Sequence, residues 1–212
     1  MNICMFLMND FIHDARVTKE AVSLIQSGHK VKIFALKSKD TLDYEVIQGI
    51  PIHRISVSLR YLLPKGQIFF FIKYLEFILQ SLRKAWMFRF DAYHCHDLET
   101  LPIGYILKLF KQKPLIYDSH EIYTNMGKHH PAARKIWCII ESILAKRADV
   151  TIFTTQMRGE YFSKYYHAPM PVIIKNVPPM QNIAKSSFLR KKLKLSDDQK
   201  ILIYQGQIAP ER

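Results

Sequence analysis

Short apolar runs that each end in a cluster of polar residues constrain the fold of this sequence most strongly. Leu115-Ile116 leads into Tyr117-Asp118-Ser119-His120-Glu121, Ala92-Tyr93 leads into His94-Cys95-His96-Asp97, and Ile3–Met8 leads into Asn9-Asp10. Runs of this kind are typical of buried parallel strands. Because ligands in open α/β sheets bind at the carboxyl ends of the strands, we expect the three polar clusters to line one cleft.

Helical patterns alternate with the apolar runs along the chain. A helix follows the first strand, with Val17 and Ala21 on its apolar face, and it ends near Gly28. Further buried runs follow, at Val31–Leu36, Leu115–Tyr117, Val150–Phe153 and Val172–Ile174. The alternation predicts an α/β fold, a Rossmann-like parallel sheet with helices on both faces.

The segment Gln67–Phe90 is unusually aromatic, and its charged residues exclude a membrane span. Two interpretations fit it. It is a crossover helix packed on the sheet, or it is an interfacial helix that touches lipid head groups through aromatic and basic side chains. A helix that begins at Pro131 is predicted to place Ile136, Ile140 and Ile143 on one face.

The composition narrows the partners and the compartment. Lys and Arg outnumber Asp and Glu by 31 to 18, and most of the resulting net charge of +13 lies in residues 107–212. A basic surface suits anionic partners such as phosphates or an anionic membrane, although solubility alone also explains it. The basic residues match no nucleic-acid recognition motif, so we expect no nucleic-acid partner. The three scattered cysteines and the lack of a signal peptide predict a cytoplasmic protein.

The polar cluster after the third run is the candidate catalytic centre. A histidine ordinarily titrates near neutrality, so His120, with Glu121 and Asp118 beside it, suits chemistry on hydroxyl groups. A polar strand-to-helix turn is the structural alternative. His94 and His96 share one face of a strand and could both bind a metal. No further ligand set with suitable spacing supports that idea, so we predict no metal site, with His94 in the core and His96 and Asp97 reaching the cleft.

The turn after the first strand is the second candidate region. Asp14 suits a helix N-cap. Arg16 stands in the first helical turn, where its charge opposes the helix dipole. That misfit predicts a partner for Arg16, either an internal carboxylate or an anionic ligand. The turn lacks a G-x-G-x-x-G fingerprint for a dinucleotide.

The composition changes near residue 180. We expect residues 1–180 to form one Rossmann-like domain and residues 181–199 to form a linker with a short basic helix. Ile201–Tyr204 is an apolar run after this linker. Residues 200–212 are therefore interpreted as the first strand and loop of a second domain.

Several short motifs of this chain, taken in sequence order, resemble those of the N-terminal half of GT-B glycosyltransferases of family 4. The resemblance rests on a set of short motifs spread over nearly the whole chain: Asp14-Ala15-Arg16-Val17, Gly28-His29-Lys30-Val31, His96-Asp97-Leu98, Tyr117–Glu121, Ala148-Asp149, Asn176-Val177-Pro178 and Tyr204–Arg212. It implies two facing Rossmann-like domains that transfer a sugar from a nucleotide-sugar, usually with retention and without a metal.

The resemblance also implies roles for individual residues. His120 and Glu121 would be catalytic, and Gly206 and Arg212 would bind the donor diphosphate. The acceptor would be bound by residues of the three strand ends, namely Asn9, Asp10, Asp14, Arg16, His96, Asp97 and Asp118. The co-substrate would be a nucleotide-sugar with no further cofactor, and the acceptor a polysaccharide or lipid-linked glycan at the inner face of the cell membrane.

Two departures from the family pattern bear on whether this chain is active by itself. Gln207 stands where the family often has Arg, and the paired-glutamate motif of the donor domain is absent from this sequence. We therefore expect this chain alone to be inactive. A sugar-nucleotide epimerase of the same architecture and a non-catalytic acceptor- or membrane-binding module are the alternative interpretations.

Overall fold

The computed structural model describes residues 1–64, 66–120, 131–178, 186–204 and 206. Its strands are β1 Asn2–Phe6, β2 Lys30–Leu36, β3 Tyr44–Ile47, β4 Ile50–Ile55, β5 Ala92–His96, β6 Leu115–Ser119, β7 Val150–Phe153 and β8 Val172–Ile173. Its helices are α1 Ala15–Gln26, α2 Leu59–Leu62, α3 Gln67–Trp86, α4 Leu101–Lys111, α5 Pro131–Leu144, α6 Gln156–Tyr166 and α7 Phe188–Leu193.

The strands form one sheet in the order β3-β4-β2-β1-β5-β6-β7-β8. Neighbouring strands are parallel except for the antiparallel pair β3 and β4. The chain moves from β1 outward to β2 and later returns to add β5 on the other side of β1. This reversal is a topological switch point between β1 and β5, and open α/β sheets bind ligands at the carboxyl ends of the strands at such a point.

Each face of the sheet has its own apolar core. On one face, Ile3, Met5 and Ile33 pack with Val17 and Ala21 of α1. The other face carries a larger core built from strand residues and from helices α3 to α6, including Phe6, Phe34, Phe77, Trp137 and Phe162. Successive strand residues therefore point to opposite cores, as the two-residue period of a strand requires. The predicted Rossmann-like sheet with helices on both faces is confirmed.

Helix α3 of the aromatic segment has one side packed on the sheet and one exposed side. Tyr74, Phe77 and Ala85 are buried against the sheet, so the helix is a packed crossover. The outward side of the same helix carries Leu75 and Leu79, which are 55% and 57% exposed. None of the helices in the described part of the chain is long and apolar enough to cross a membrane.

Helix α5 differs from its predicted apolar face. Ile136 and Ile143 are exposed and Ile140 is partly buried against the larger core, whereas Trp137 and Glu141 are buried. The long indole ring sets the rotation of the helix because burying it removes the most apolar surface from water. Isoleucine periodicity alone did not reveal this, because the buried face also holds a carboxylate with dedicated partners.

The chain divides into two compact units, Met1–Asn176 and Val177–Arg212. In the second unit, α7 agrees with the predicted short basic helix. Ile201–Tyr204, predicted as a strand, has no regular secondary structure, and Leu202 is 99% exposed. A strand is stable only when its backbone pairs with a neighbouring strand, and the sheet formed by the described residues consists of β1 to β8. The assignment of residues 181–199 to a linker and of 200–212 to a donor-binding domain stays a prediction.

Gly104 shows how closely α4 packs on the sheet. A Cβ atom built at this glycine would overlap Cys95 Sγ and would lie 2.5 Å from Leu115 Cδ1. Alanine normally stabilises a helix interior relative to glycine by roughly 0.5–1 kcal/mol. Here the overlap dominates, so we expect Gly104→Ala to lower the unfolding free energy by about 1–3 kcal/mol in urea denaturation.

Gly159 of α6 is the matched control. Its added Cβ would meet only the flexible ends of Ile173 and Met170, at 2.9 and 3.1 Å. Gly159→Ala should therefore cost clearly less than Gly104→Ala. Equal costs for the two variants would contradict the close approach of α4 to β5 and β6.

Candidate active site

Polar side chains at the carboxyl ends of β5 and β6 contact one another, and the prediction that the residues after β1 line the same cleft stays a prediction. Strands β5 and β6 are neighbours in the sheet, with His96 opposite Asp118 in the register. The residues just beyond these strand ends are Asp97 and His120. Asp97 has a φ of 62°, in the left-handed region that Asp adopts more readily than most residues. This turn brings the Asp97 carboxylate back over the strand end, toward His120.

His120 lies between two carboxylates. Its Nε2 is 2.8 Å from Asp118 Oδ2, and its Nδ1 is 3.2 Å from Asp97 Oδ2. The backbone N–H of His120 donates to Asp97 Oδ1 at 3.3 Å. The imidazole is thus fixed at both nitrogens, and its residue is only 5% exposed.

Asp118 is the shared partner of two histidines. The same oxygen that faces His120 lies 3.2 Å from His96 Nδ1, and the rings of His96 and His120 have centroids 5.6 Å apart. The sequence placed His96 in the cleft, but its side chain is fully buried. The correction has a structural cause, because α1 covers the face of β5 on which His96 lies.

The protonation of the pair Asp97 and His120 is linked. Both ring nitrogens can donate only when the imidazole is protonated, and in the neutral ring one of the two contacts needs a proton on a carboxyl. Desolvation, with the negative charge of Glu99, raises the pKa of the Asp97 carboxyl. The Asp97 side chain is 45% exposed, so water weakens this effect. A proton can therefore be held on the Asp97 side of His120, which is the side open to solvent.

The loop between β1 and α1 is held by its own polar side chains. Asp14 is the N-cap of α1, and its Oδ1 accepts from the Val17 N–H at 3.1 Å. Its second oxygen accepts from the Asn9 amide at 2.9 Å, and Asn9 Oδ1 accepts from the Phe11 N–H. These bonds give Asn9 and Asp14 structural duties, while a role in acceptor binding stays a prediction.

Asp10 and Arg16 are held differently. The carbonyl of Asp10 accepts from Nε of the buried Arg54, which also forms an ion pair with Glu45. None of the described contacts joins the Asp10 side chain to His120. The charge of the Arg16 guanidinium acts to lower the pKa of Glu20 and of Asp97. Its buried Nε has no hydrogen-bond partner among the described residues, so the choice between an internal carboxylate and an anionic ligand stays a prediction.

The sequence analysis missed Glu20 as a site residue. It lies on α1, one turn after Arg16, and faces the carboxyl ends of β5 and β6. Its Oε2 lies 3.9 Å from both His94 Nε2 and His96 Nδ1. Burial, with the neighbouring charge of Asp118, raises the pKa of Glu20 to about 8. The i, i+4 spacing of Arg16 and Glu20 was the available signal, because such residues share one helix face.

Two further residues support the strand ends. Arg158 of α6 donates to the backbone carbonyl of His120 at 2.7 Å. The Thr100 hydroxyl donates to the carbonyl of His96 at 2.7 Å, just before α4 begins. Neither was predicted, because a contact to a backbone carbonyl leaves no pattern in a sequence.

Three predicted residues need separate mention. Glu121 and Arg212 lie outside the described residues, so their catalytic and donor-binding roles stay predictions. Gly206 is described as part of the second compact unit, and its predicted role toward a donor is likewise a prediction.

A buried carboxylate stabilises the opposite face of β6. Glu141 Oε1 accepts from the Tyr117 hydroxyl at 2.7 Å, and its Oε2 accepts from the Tyr166 hydroxyl at 2.6 Å. Burial raises the pKa of Glu141, while the two tyrosine hydrogen bonds act in the opposite direction. The cluster joins α5, β6 and α6 directly beneath the strand end that carries Asp118.

Comparison with known proteins identifies the family and the fold of the chain. A family model described as Glycosyltransferase Family 4 matches residues 16–176. No curated protein sequence matches the chain significantly.

Solved structures share the fold at low sequence identity. Sucrose-phosphate synthase from Thermosynechococcus elongatus is 14% identical, with a TM-score of 0.68, covering 93% of this chain and 53% of that one. HepE from Anabaena, in complex with UDP-glucose, is 16% identical with a TM-score of 0.59, covering 92% and 50%. MurG from Acinetobacter baumannii is 16% identical with a TM-score of 0.51, covering 85% and 46%. The chain therefore spans about half the length of these GT-B glycosyltransferases.

The Glu141 cluster generates a stability prediction. Tyr166→Phe removes one hydrogen bond from a buried carboxylate and should lower the unfolding free energy by about 1–3 kcal/mol in urea denaturation. The triple variant Tyr117→Phe/Glu141→Leu/Tyr166→Phe removes the carboxylate together with both tyrosine hydroxyls that donate to it, and should cost less than the single change. Tyr165→Phe, at a half-exposed neighbour, is the control and should change stability by less than about 0.5 kcal/mol. A larger loss in the triple variant than in Tyr166→Phe would contradict the interpretation.

Proposed function

Because the chain belongs to glycosyltransferase family 4, we propose that residues 1–180 form the acceptor-binding half of an enzyme that transfers a sugar from a nucleotide-sugar. The acceptor is a polysaccharide or a lipid-linked glycan. The observation that carries the proposal is His120, held between Asp97 and Asp118 at the carboxyl ends of the central strands. A fixed imidazole at this position can meet a sugar hydroxyl from the crevice between β1 and β5.

The geometry supports distinct roles for the two carboxylates. Asp118 is buried and fixes the ring of His120 through Nε2, so it is a positioning residue. Asp97 meets Nδ1 from the solvent side. An acceptor hydroxyl would replace Asp97 at Nδ1 or would bridge the two side chains. His120 and Asp97 could then hold or pass the hydroxyl proton during transfer.

The negative charge around the site favours a neutral sugar hydroxyl, rather than an anionic group, as the reacting part of the acceptor. Asp14 and Asp97 act electrostatically on their neighbours from the loops, and Arg16 offsets part of that negative charge. Carboxylates accept hydrogen bonds from hydroxyl groups, which a glycan offers in number. Of the predicted acceptor residues, Asn9, Asp10, Asp14, Arg16 and Asp97 are assigned to this region on that basis, whereas His96 and Asp118 are buried beneath it.

The donor half of the reaction rests on similarity. HepE is structurally similar over half its length and was solved with UDP-glucose, which supports a nucleotide-sugar as the donor. Transfer with retention is the expectation for the family, with Glu121, Gly206 and Arg212 as further site residues. No cofactor besides the nucleotide-sugar is required by this scheme.

His120→Ala tests the proposed role in the protein that also carries the donor-binding half. Loss of a positioned acid–base or orienting group should reduce the rate of sugar transfer by about 10²- to 10⁴-fold. Transfer from a labelled nucleotide-sugar and the melting temperature should be measured on the same preparation. His29→Ala, at the opposite end of the sheet, removes an imidazole far from the crevice and should leave transfer unchanged.

A purely structural role for His120 predicts a different result. A histidine with a purely structural role would lower the melting temperature while turnover per folded molecule stayed normal. Near-normal turnover in His120→Ala would therefore refute the catalytic assignment.

We also propose that the outward side of α3 contacts an anionic membrane that presents the acceptor. Ile72, Leu75 and Leu79 form an exposed apolar stripe along this helix. Near its end the Lys111 ammonium lies 3.8 Å from the centroid of the half-exposed Trp86 ring. Apolar and aromatic side chains flanked by cations are typical of interfacial helices.

Vesicle co-sedimentation tests the membrane proposal. Basic residues contribute roughly 1 kcal/mol each near an anionic surface, so binding should be stronger to anionic than to neutral vesicles and should weaken with salt. Leu75→Glu/Leu79→Glu should reduce binding to anionic vesicles by at least tenfold. Met157→Glu/Met170→Glu makes the same charge change at two exposed positions away from α3 and serves as the control. Equal binding to both vesicle types, or equal loss in both variants, would contradict the proposal.

A further inference from the structure

Four potential metal ligands converge beneath α1. They are Glu20 of α1, His94 and His96 of β5, and Asp118 of β6, and one ligand atom from each lies within 4.8 Å of the others. His94 and His96 alternate along β5 and so face the same side of the sheet. Asp118 follows the same rule on β6, because its neighbour Tyr117 packs in the opposite core. The register of two strands and one helix thus places all four side chains together.

Two of these groups have buried polar atoms that point at the cluster without a partner. Within the described ranges, neither Glu20 Oε2 nor His94 Nε2 has a hydrogen-bond partner, although both atoms are buried. The His94 side chain is only 6% exposed. A buried polar atom without a partner is costly, and native structures rarely keep one unless a ligand satisfies it.

The distances between the ligand atoms suit a small divalent ion. His96 Nδ1 lies 3.2 Å from Asp118 Oδ2, and Glu20 Oε2 lies 3.9 Å from both imidazole atoms that face it. A tetrahedral Zn²⁺ ion with bonds of about 2.0–2.2 Å separates its ligands by about 3.3–3.6 Å. Shifts of a few tenths of an ångström would bring these three distances to that value, and the remaining pairs, which lie within 4.8 Å, would close around the ion as it binds.

We propose that Glu20, His94, His96 and Asp118 bind a divalent transition-metal ion of the Zn²⁺ type. Two imidazoles and two carboxylates form a donor set that Zn²⁺ accepts. The two carboxylates neutralise the charge of the ion, and the nearby negative charge of Asp14 is offset by the positive charge of Arg16. The ion ties α1 to β5 and β6 and fixes Asp118, which holds His120. The ion would act on the structure around His120, and its binding does not depend on the proposed transfer reaction.

A proton shared between Glu20 and Asp118 is the rival explanation for two close carboxylates. It leaves His94 Nε2 without a partner, whereas a metal ion would bind His94 Nε2, His96 Nδ1 and both carboxylates at once. The buried Nε2 of His96 lacks a partner among the described residues under either explanation. The sequence analysis predicted no metal site because only two ligands are close in the chain. The other two come from α1 and β6 and become neighbours only in the fold.

Zn²⁺ alone is the probe for the first experiment. The chain, without an affinity tag and freed of metals by a chelator, should bind one Zn²⁺ per molecule in competition with a chromophoric chelator. Binding should raise the melting temperature, because the ion binds the folded chain and not the unfolded one. X-ray absorption at the zinc edge should report two imidazoles and oxygen donors, without sulfur.

Three variants identify the ligands. Glu20→Gln keeps the shape of the side chain, and His94→Gln keeps its approximate length. Each should weaken Zn²⁺ binding by more than about tenfold, because loss of a residue that only supports a metal ligand already costs about 10- to 100-fold. His29→Gln makes the same change at the opposite end of the strands and should bind Zn²⁺ as the wild type does. Melting in chelator shows whether each variant is folded.

The outcomes separate the explanations. Absence of Zn²⁺ binding by the folded wild-type chain would overturn the proposal and leave a shared proton only. Unchanged binding in folded His94→Gln or Glu20→Gln, or sulfur in the zinc shell, would also overturn it. If both variants fail to fold, the stoichiometry and the ligand set of the wild-type chain decide the matter. None of these readouts depends on sugar transfer, so failure here is distinct from failure of the proposed function.

Discussion

The hydrogen bonding of Asp118 is the interaction on which the site depends. A carboxylate that is removed from water is costly unless donors surround it. Asp118 is 1% exposed and meets two imidazoles through one oxygen, His96 at 3.2 Å and His120 at 2.8 Å. This arrangement couples the last residue of β5 to the loop after β6. Any change at Asp118 therefore alters the orientation of His120 as well as the stability of the strand pair.

The two faces of β6 divide the tasks of folding and chemistry. Tyr117 points to the larger core and donates to the buried Glu141, which fastens the strand to α5 and α6. Asp118 points to the opposite face, toward α1 and the histidines. Because consecutive strand residues alternate between faces, one strand can carry a rigid anchor and a polar site side by side. The anchor limits movement of the strand end, which favours fixed positions for Asp118 and His120.

Much of the fold was predictable from the sequence because its signals are local. Apolar runs, helical periodicity and the N-cap Asp14 predicted the strands of the sheet and the start of α1, and the structure agrees. Ile201–Tyr204 failed for a reason that no local signal shows, since a strand forms only beside another strand. The face of α5 failed because Trp137 and Glu141 outweigh the isoleucine pattern through contacts with distant residues.

The site was predictable where it lies along the strand ends and unpredictable where it depends on helix packing. Positions such as Asp97, Asp118 and His120 follow directly from the rule for parallel sheets. Glu20 lies 74 residues before His94 in the numbering, and only the docking of α1 on the sheet makes the two neighbours. That docking is itself fixed by Val17 and Ala21, which the sequence did reveal as the apolar face. A search that combines the buried face of a helix with the inward face of the strands it covers would therefore have found Glu20, because residue 20 adjoins that buried face.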